Sequence, residues 1–600
     1  MTAQYTQPIT PNPNIIPEQD TLWGHKWGFA DTYLQINQDR SVTMVGDRYP
    51  LSGYKMPYLL PYIEALLHIN IDPSDRREPV KHPYIKPPKR HPGFCQALEN
   101  QFPDHQYSFG DAKRLLHSHG QTSFEEVYKV LYDQLESFVD MVFYCESTAD
   151  VQTLIQLALE HDICLIPFGG GTNVSCALQI PRDETRMIVA VDMKRMNQIE
   201  WIDPDNLRAC VQAGITGQQL EAALAQVGFT CGHEPDSLEL STVGGWISTH
   251  ASGMKRSRYG NIEQIVENIV MITPQGILEQ IEAVPRTAMG MQPQQLLFGS
   301  EGNLGLITKA VIKIHPIPPV KKYDSLVFPN FEQGVAFLYE LAHSGFVPAS
   351  IRLVDNNQFR FGQALKPKAT GARAWLERLK KFYLLQLRGF HPQQMVAATL
   401  AMEGSAEGVA YQSQHIAALA KRFQGLVAGE ANGRRGYMLT YAIAYIRDFL
   451  SSFYILGETF ETSVAWTQIQ PLITQVEAKL KQQHQAFRLP GRPYLSYRVT
   501  QIYHTGVCLY FMFGLYTKGV QHPEVICSQI EQALRKTIID NHGSISHHHG
   551  VGKIRQEFMK DTLSTASIEL LQTMKHASDP HNIFGIRNNV FAEDPPSQHP

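Results

Sequence analysis

"LIPFGGGTNVS", residues 165–175, sets Gly169, Gly170 and Gly171 directly behind an apolar run. Three glycines at the end of a strand let the backbone turn tightly and aim successive N–H groups at an anion. No Lys-Ser/Thr pair follows, so the stretch is not a P-loop. Val174 stands where a Rossmann G-x-G-x-x-G needs its last glycine. Alone, the loop fits a plain tight turn as well as a phosphate cradle.

Two more small-residue stretches follow it. "CGHEPDSLELSTVGGWISTHASGMKRSRYGNIEQIV", residues 231–266, carries an acid-rich turn, Ser241-Thr242, Gly244-Gly245 and Ser252-Gly253. "GSEGNLGLITKAVIKIHP", residues 299–316, is the third. Small residues at this density permit close backbone approach to a flat or extended ligand. Between them strands and helices alternate. "FVDMVFYC", "ICLIPF", "RMIVAVDM" and "NLRACVQAG" read as strands; "TADVQTLIQLALEHD" and "TGQQLEAALAQVG" read as helices. After residue 316 long helices with intervening strands are expected, including "GYMLTYAIAYIRDFLSSFYILGETF".

Composition sets the bounds. The chain has 600 residues, 43% hydrophobic and 18% charged, which is ample for several buried cores. Its formal net charge of −4 gives no basic field for nucleic acid. The 8 cysteines are scattered without a C-x-x-C pair, against a zinc ribbon or a disulfide framework and in favour of a reducing compartment. No apolar run is long enough to span a bilayer. The polar, proline-rich start resembles no signal or transit peptide, so a cytoplasmic place is the default expectation. "DRREPVKHPYIKPPKRHPG", residues 75–93, reads either as a solvated linker or as a basic approach to anionic lipid.

The three glycine-rich stretches, in this order, resemble the FAD-binding domain of the vanillyl-alcohol-oxidase type. Within that superfamily the chain resembles the alkyldihydroxyacetonephosphate synthase family through "GDRYPLSG", "FGSEGNLGLITKAVIKI", "VPASIRLVDNNQFRFGQALKP", "RRGYMLTYAIAYIRDF", "LGETFETS", "SISHHHGVGK" and "DPHNIFGIRN". The likeness runs from about residue 23 to about residue 592. It implies an α+β protein: a two-part FAD-binding domain over residues 125–316 and an α+β substrate cap over 317–540. A disordered lead-in over 1–22, a helical region over 23–124, and an active-site loop with a helical part over 541–600 complete it.

The resemblance also implies a chemistry. FAD would mediate exchange of the acyl chain of acyl-dihydroxyacetone phosphate for a long-chain fatty alcohol, giving an ether lipid with no net redox change. Pro167, Phe168, Gly169, Gly170, Gly171, Thr172 and Asn173 would meet the FAD pyrophosphate. Pro235, Asp236, Ser237, Leu238, Glu239, Leu240 and Ser241, then Thr249, His250, Ala251 and Ser252, would line the cofactor. Glu301, Gly302, Asn303, Leu304, Gly305, Leu306 and Ile307 would complete its site. The family commonly carries arginine at the position of His250. Arg447 would clamp the substrate phosphate, with Arg352 beside it. Tyr510 would transfer a proton, and His547, His548 and His549 would supply a base. A homodimer in contact with a membrane is implied as well.

The residues also carry plainer readings. Arg447 sits in the apolar run "AYIRDF", where an ion pair with Asp448 is the alternative to a clamp. Arg352 in "ASIRLVDN" has Asp355 three residues on as its alternative partner. Tyr510 shares a strand face with Cys508 and Met512, a pattern typical of core. Three successive histidines on an extended chain point to alternate faces, so no metal is expected there. D-2-hydroxy-acid dehydrogenases of the superfamily are the rival reading. They carry G-H-x-G-D-G-N-x-H and E-H-G-x-G, where this chain has "YHTGVCLYF" and "HHHGVG". Membrane contact is expected through "MPYLLPYIEALLHI", residues 56–69.

Overall fold

The computed structural model describes residues 22–132 and 134–592. The lead-in expected over residues 1–22 lies, apart from Leu22, outside the described residues. Three larger sheets organise the rest.

The first is a four-stranded sheet ordered Tyr107–Ser108, Met141–Tyr144, Ile188–Asp192, Cys164–Phe168. Its last three strands are parallel. Parallel strands covered on both faces need apolar side chains on both, and these runs supply them. Phe143, Leu165 and Val191 enter one core, while Val142, Ile166 and Ala190 enter another. The helix Thr148–His161 opens on a capping box between Ser147 and Asp150 and packs Val151, Leu154 and Ala158 into the first core.

The second is a five-stranded antiparallel sheet ordered Gly276–Leu278, Val266–Thr273, Leu306–Lys313, Arg208–Gln212, Ile199–Asp203. Helices Gly217–Gln226 and Val243–Ser248 cover it through Leu220, Ala223, Val243 and Ile247.

The third is the seven-stranded sheet of the cap, ordered Leu426–Val427, Val320–Phe328, Val396–Gly404, Ser350–Val354, Tyr494–Ile502, Gly506–Tyr516, Ile455–Ala465. Strand alternation divides it into two faces. Leu353, Val499, Leu509 and Phe511 pack into the largest core, with residues from helices Phe331–His343, Ala406–Arg422, Ile469–Ala486 and Pro523–Asp540. Arg352, Arg498, Tyr510 and Met512 take the opposite face and line a cavity. The sequence expectation that Tyr510 and Met512 share a face holds, but that face is a cavity wall.

Residues 23–124 begin with a three-stranded sheet, Tyr33–Ile36, Val42–Val45 and Lys55–Met56, before their helices. Two expectations change. "GYMLTYAIAYIRDFLSSFYILGETF" is not one long helix. It holds helices Glu430–Met438 and Ile443–Ser451, separated by a 3-10 turn at Leu439–Ala442, and becomes a strand at Ile455. Tyr454, in the left-handed region at φ 62°, marks that change of direction. Finally, helix Leu59–Leu67 turns its apolar face inward. Leu59, Leu60, Ile63 and Leu67 are buried, so this face is not free to meet a membrane. The basic strap after it is fastened to the body as well. Arg77 N donates to Ser452 O at 2.8 Å, and the Arg77 guanidinium lies 3.4 Å from the Tyr132 ring centroid.

Candidate active site

A cavity of about 1740 Å³ lies between the glycine loop and the polar face of the cap sheet. Pockets for one small ligand run to about 300–1,000 Å³, so this one has room for a dinucleotide and a lipid together. From the glycine-rich stretches its wall takes Pro167, Phe168, Gly169, Gly170, Gly171, Thr172, Asn173, Pro235, Asp236, Ser237, Ser241, Thr249, Ala251, Ser252, Glu301, Gly302, Gly305, Leu306 and Ile307. Arg352, Arg447, Tyr510, His548 and His549 complete it from the cap and the C-terminal loop.

Seven of the expected residues lie behind the wall. Leu238 and Leu304 pack in the core of the five-stranded sheet. Leu240 belongs to the N-terminal core, and Glu239 accepts a 2.8 Å hydrogen bond from Tyr49 Oη. Asn303 is fully buried and its Oδ1 accepts from Asn588 N at 3.0 Å. His250 turns outward at φ 55°, with Nε2 3.3 Å from Glu263. His547 gives its Nε2 to Tyr503 Oη at 2.5 Å. Side chains that alternate, or that serve a core, leave the cavity even where their neighbours line it.

The glycine loop fits an anion. A Cβ on Gly170 would stand 2.0 Å from the Leu240 carbonyl oxygen, and one on Gly169 would stand 2.6 Å from Thr242 Oγ1. The loop therefore lies flat on residues 240–242, as only glycine allows. Among the described residues the N–H groups from Gly169 to Asn173 donate to no protein acceptor. Unpaired amides at a cavity wall form the concave donor set that a pyrophosphate fills. These residues thus fit the FAD that the family domain implies.

The C-terminal loop is positioned by two buried carboxylates. Glu461, on strand Ile455–Ala465, accepts from the backbone N–H of His547, of His548 at 3.3 Å and of His549 at 2.9 Å, and from Ser546 Oγ at 2.7 Å. Burial opposes its ionisation, but any positive charge on the three histidines, His549 first, and the charge of Arg535 hold the carboxyl well below its usual range. Glu301 accepts from Val551 N at 2.6 Å and from Gly552 N at 2.9 Å. Burial pushes Glu301 up to about 7. Glu301 was expected to bound the cofactor; it borders the cavity, and its carboxylate is spent on the loop. Gly552 needs its left-handed φ of 51°, and its Cβ would meet the Ser175 carbonyl at 2.1 Å.

All three histidines are disfavoured as cations. Burial lowers His548 and His549, and takes His547 to about 3. At neutral pH each is a neutral imidazole able to accept a proton. His548 and His549 flank the Tyr510 ring at 6.1 and 5.4 Å between centroids. Tyr510 Oη donates to Thr459 Oγ1 at 3.1 Å, and burial pushes its phenol up to about 12. It is protonated near neutrality and suits the role of acid.

The expected argument from alternation fails for the histidine run. The loop is turned, not extended, and His547 Nδ1 and His548 Nδ1 come within 2.9 Å. Cys508, His547 and His548 each bring a donor atom within 4.8 Å of the others. Burial raises the Cys508 thiol.

The arginines differ in how far they are already paired. Arg352 Nη2 meets Asp236 Oδ1 at 2.9 Å and Nη1 donates to Thr440, so its partner is Asp236 and not Asp355. Asp355 instead caps helix Asn356–Ala364 through Gln358 N. Arg447 gives Nε and Nη2 to Asp448 Oδ1 at 2.9 and 2.7 Å and Nη1 to Thr122 O. The plainer reading of Arg447 as an ion pair is thus realised, at a cavity wall. Sequence reasoning missed Thr459, Glu461 and Arg498. Arg498 could have been found, since Ser496, Arg498 and Thr500 put a polar stripe at every second position of an apolar strand.

Family models described as FAD binding domain and as FAD linked oxidases, C-terminal domain, match residues 139–282 and 317–587. An alkyldihydroxyacetonephosphate synthase of Caenorhabditis elegans is 40% identical over 94% of this chain and 94% of its own length. One from Dictyostelium discoideum is 29% identical over 94% and 93%. A solved alkyldihydroxyacetonephosphate synthase structure superposes with a TM-score of 0.82 at 26% identity, covering 94% of this chain and 98% of that one.

Proposed function

The chain belongs to the alkyldihydroxyacetonephosphate synthase family, and on that premise we propose that it exchanges the acyl chain of acyl-dihydroxyacetone phosphate for a long-chain fatty alcohol. The bond from substrate carbon to acyloxy oxygen breaks, one to the alcohol oxygen forms, and a fatty acid leaves. No electron acceptor is consumed. One observation carries the reading: a single cavity wall joins the glycine loop to Arg352, Arg447, Tyr510, His548 and His549. FAD, when bound, supplies a nucleophilic centre that permits the exchange without net redox change.

The chain's own residues hold charge and move protons. Gly169 to Asn173 offer amides to the pyrophosphate. Arg447 and Arg352 give positive charge for the substrate phosphate. Tyr510 is the proton donor and acceptor at the substrate carbon. His548 or His549, neutral and beside it, takes the alcohol proton. Family membership favours this exchange over oxidation of a 2-hydroxy acid.

Among the described residues no helix is long and apolar enough to cross a membrane. Leu379, Phe382 and Leu387 border the cavity yet are 50%, 54% and 67% exposed. They support lipid entry at a membrane surface from this side of the cap. The proposal extends to a homodimer, supported by family membership alone.

The test supplies palmitoyl-dihydroxyacetone phosphate and hexadecanol to the FAD-loaded protein without an electron acceptor. Ether product and free palmitate are expected. Dye reduction by a 2-hydroxy acid with no ether product overturns the reading.

A further inference from the structure

We infer that Arg498 is an oxyanion-binding residue of the cavity, whose guanidinium takes either the substrate phosphate or the carboxylate that leaves. The inference rests on the exchange reading. Arg498 is 6% exposed, yet it borders the cavity. Its Nε has no hydrogen-bond partner. Among the described residues no carboxylate pairs with its guanidinium. It stacks on the Tyr510 ring, 4.0 Å from the guanidinium carbon to the centroid.

An ionised group left unpaired in a protein interior costs several kcal/mol. Arginines are buried where a carboxylate, a phosphate or a carbonyl meets their fork. Arg352 and Arg447, on the same cavity wall, obey this rule through Asp236 and through Asp448. Arg498 departs from it. Among the charges acting on it are Arg352 and Asp236, and these two pair with each other, so that carboxylate is already taken. The fork pairs two oxygens of a carboxylate or phosphate at once.

The reaction supplies the ligand chemistry. It carries two anionic groups, the phosphate that stays and the carboxylate that departs, and each needs stabilising charge. Arg498 is placed beside Tyr510, the proton donor of the proposed exchange. Stacking on the phenol ring holds the guanidinium in place before the anion arrives.

The experiment measures binding by isothermal titration calorimetry to the FAD-loaded protein. The probes are dihydroxyacetone phosphate, which carries only the phosphate, and palmitate, which carries only the carboxylate. Arg498→Met is expected to weaken one probe at least tenfold while FAD content stays unchanged. The probe that weakens identifies the anion. Arg498→Lys, which keeps charge but loses the fork, is expected to weaken the same probe less. Unchanged binding of both probes overturns the inference, as does loss of FAD from both variants, which assigns the guanidinium to the cofactor. Should Arg498→Met fail to fold, Arg498→Lys decides alone: at least threefold weaker binding of one probe supports the inference, and unchanged binding overturns it. Ether formation by the unaltered chain is scored separately. Its absence defeats the exchange reading, whereas unchanged probe binding defeats only the role of Arg498.

Discussion

Glu461 and Tyr510 stand opposite each other in the antiparallel pairing of strands Ile455–Ala465 and Gly506–Tyr516. Opposed residues share a face. The carboxylate that carries the histidine loop is therefore built into the same sheet position as the tyrosine that faces the cavity. The placement of the His548 and His549 rings beside Tyr510 follows from that one cross-strand relation.

Glu461→Gln keeps one acceptor oxygen and loses the charge that gathers three backbone amides. We expect a loss of about 1.5–3 kcal/mol, the scale of a hydrogen bond to a charged group. Alkyl transfer should fall at least tenfold as the loop shifts. Thermal unfolding of the FAD-loaded protein and an ether-product assay check the two effects; an unshifted midpoint with full activity removes Glu461 from the account.

Tyr510→Phe removes one hydroxyl and leaves the ring under Arg498. The general acid–base contribution it would delete is about 10²–10⁴-fold. Alkyl transfer should fall by that order with FAD still bound, as read from flavin absorbance. Wild-type turnover in this variant excludes Tyr510 from proton transfer.

Arg447→Ala leaves Asp448 without its ion-pair partner and takes positive charge from the cavity wall. KM for acyl-dihydroxyacetone phosphate should rise more than kcat falls. An unchanged KM, measured over a substrate series, assigns the phosphate to another residue.

Glu301 titrates at about 7 when folded, above the 4.5 of an ordinary glutamate. The folded state therefore binds the extra proton between those values. Its contribution to stability is full below 4.5 and is lost as pH rises to about 7. Glu301→Gln cannot titrate, so its midpoint relative to the unaltered protein should climb across pH 4.5–7 and then level. Parallel pH profiles for the two proteins refute this.

Gly170→Ala places a methyl group against the Leu240 carbonyl, 2.0 Å away before any shift. The loop has to rise from residues 240–242, which displaces the free amides. FAD content after purification should drop severalfold, while the far cap sheet keeps its fold by circular dichroism.

The sequence by itself determined the cofactor domain and the family. The glycine-rich stretches around Gly169, Gly170, Gly244 and Gly305, taken in order, carried the likeness to the FAD-binding domain. The sequence also carried the identity of Tyr510, Arg352 and the histidine run through family likeness. Side-chain destination was another matter. Leu240 and Gly170 lie 70 positions apart, and their contact decides how the loop lies. Asp236 and not Asp355 pairs with Arg352 because a chain from the FAD-binding part crosses beneath the cap, which no local pattern announces. Arg498 looked like one polar residue in a strand. Only the tertiary structure withheld a carboxylate from its fork, because pairing between distant segments is settled by which faces the sheets bring together, and strand alternation alone says only that a face exists.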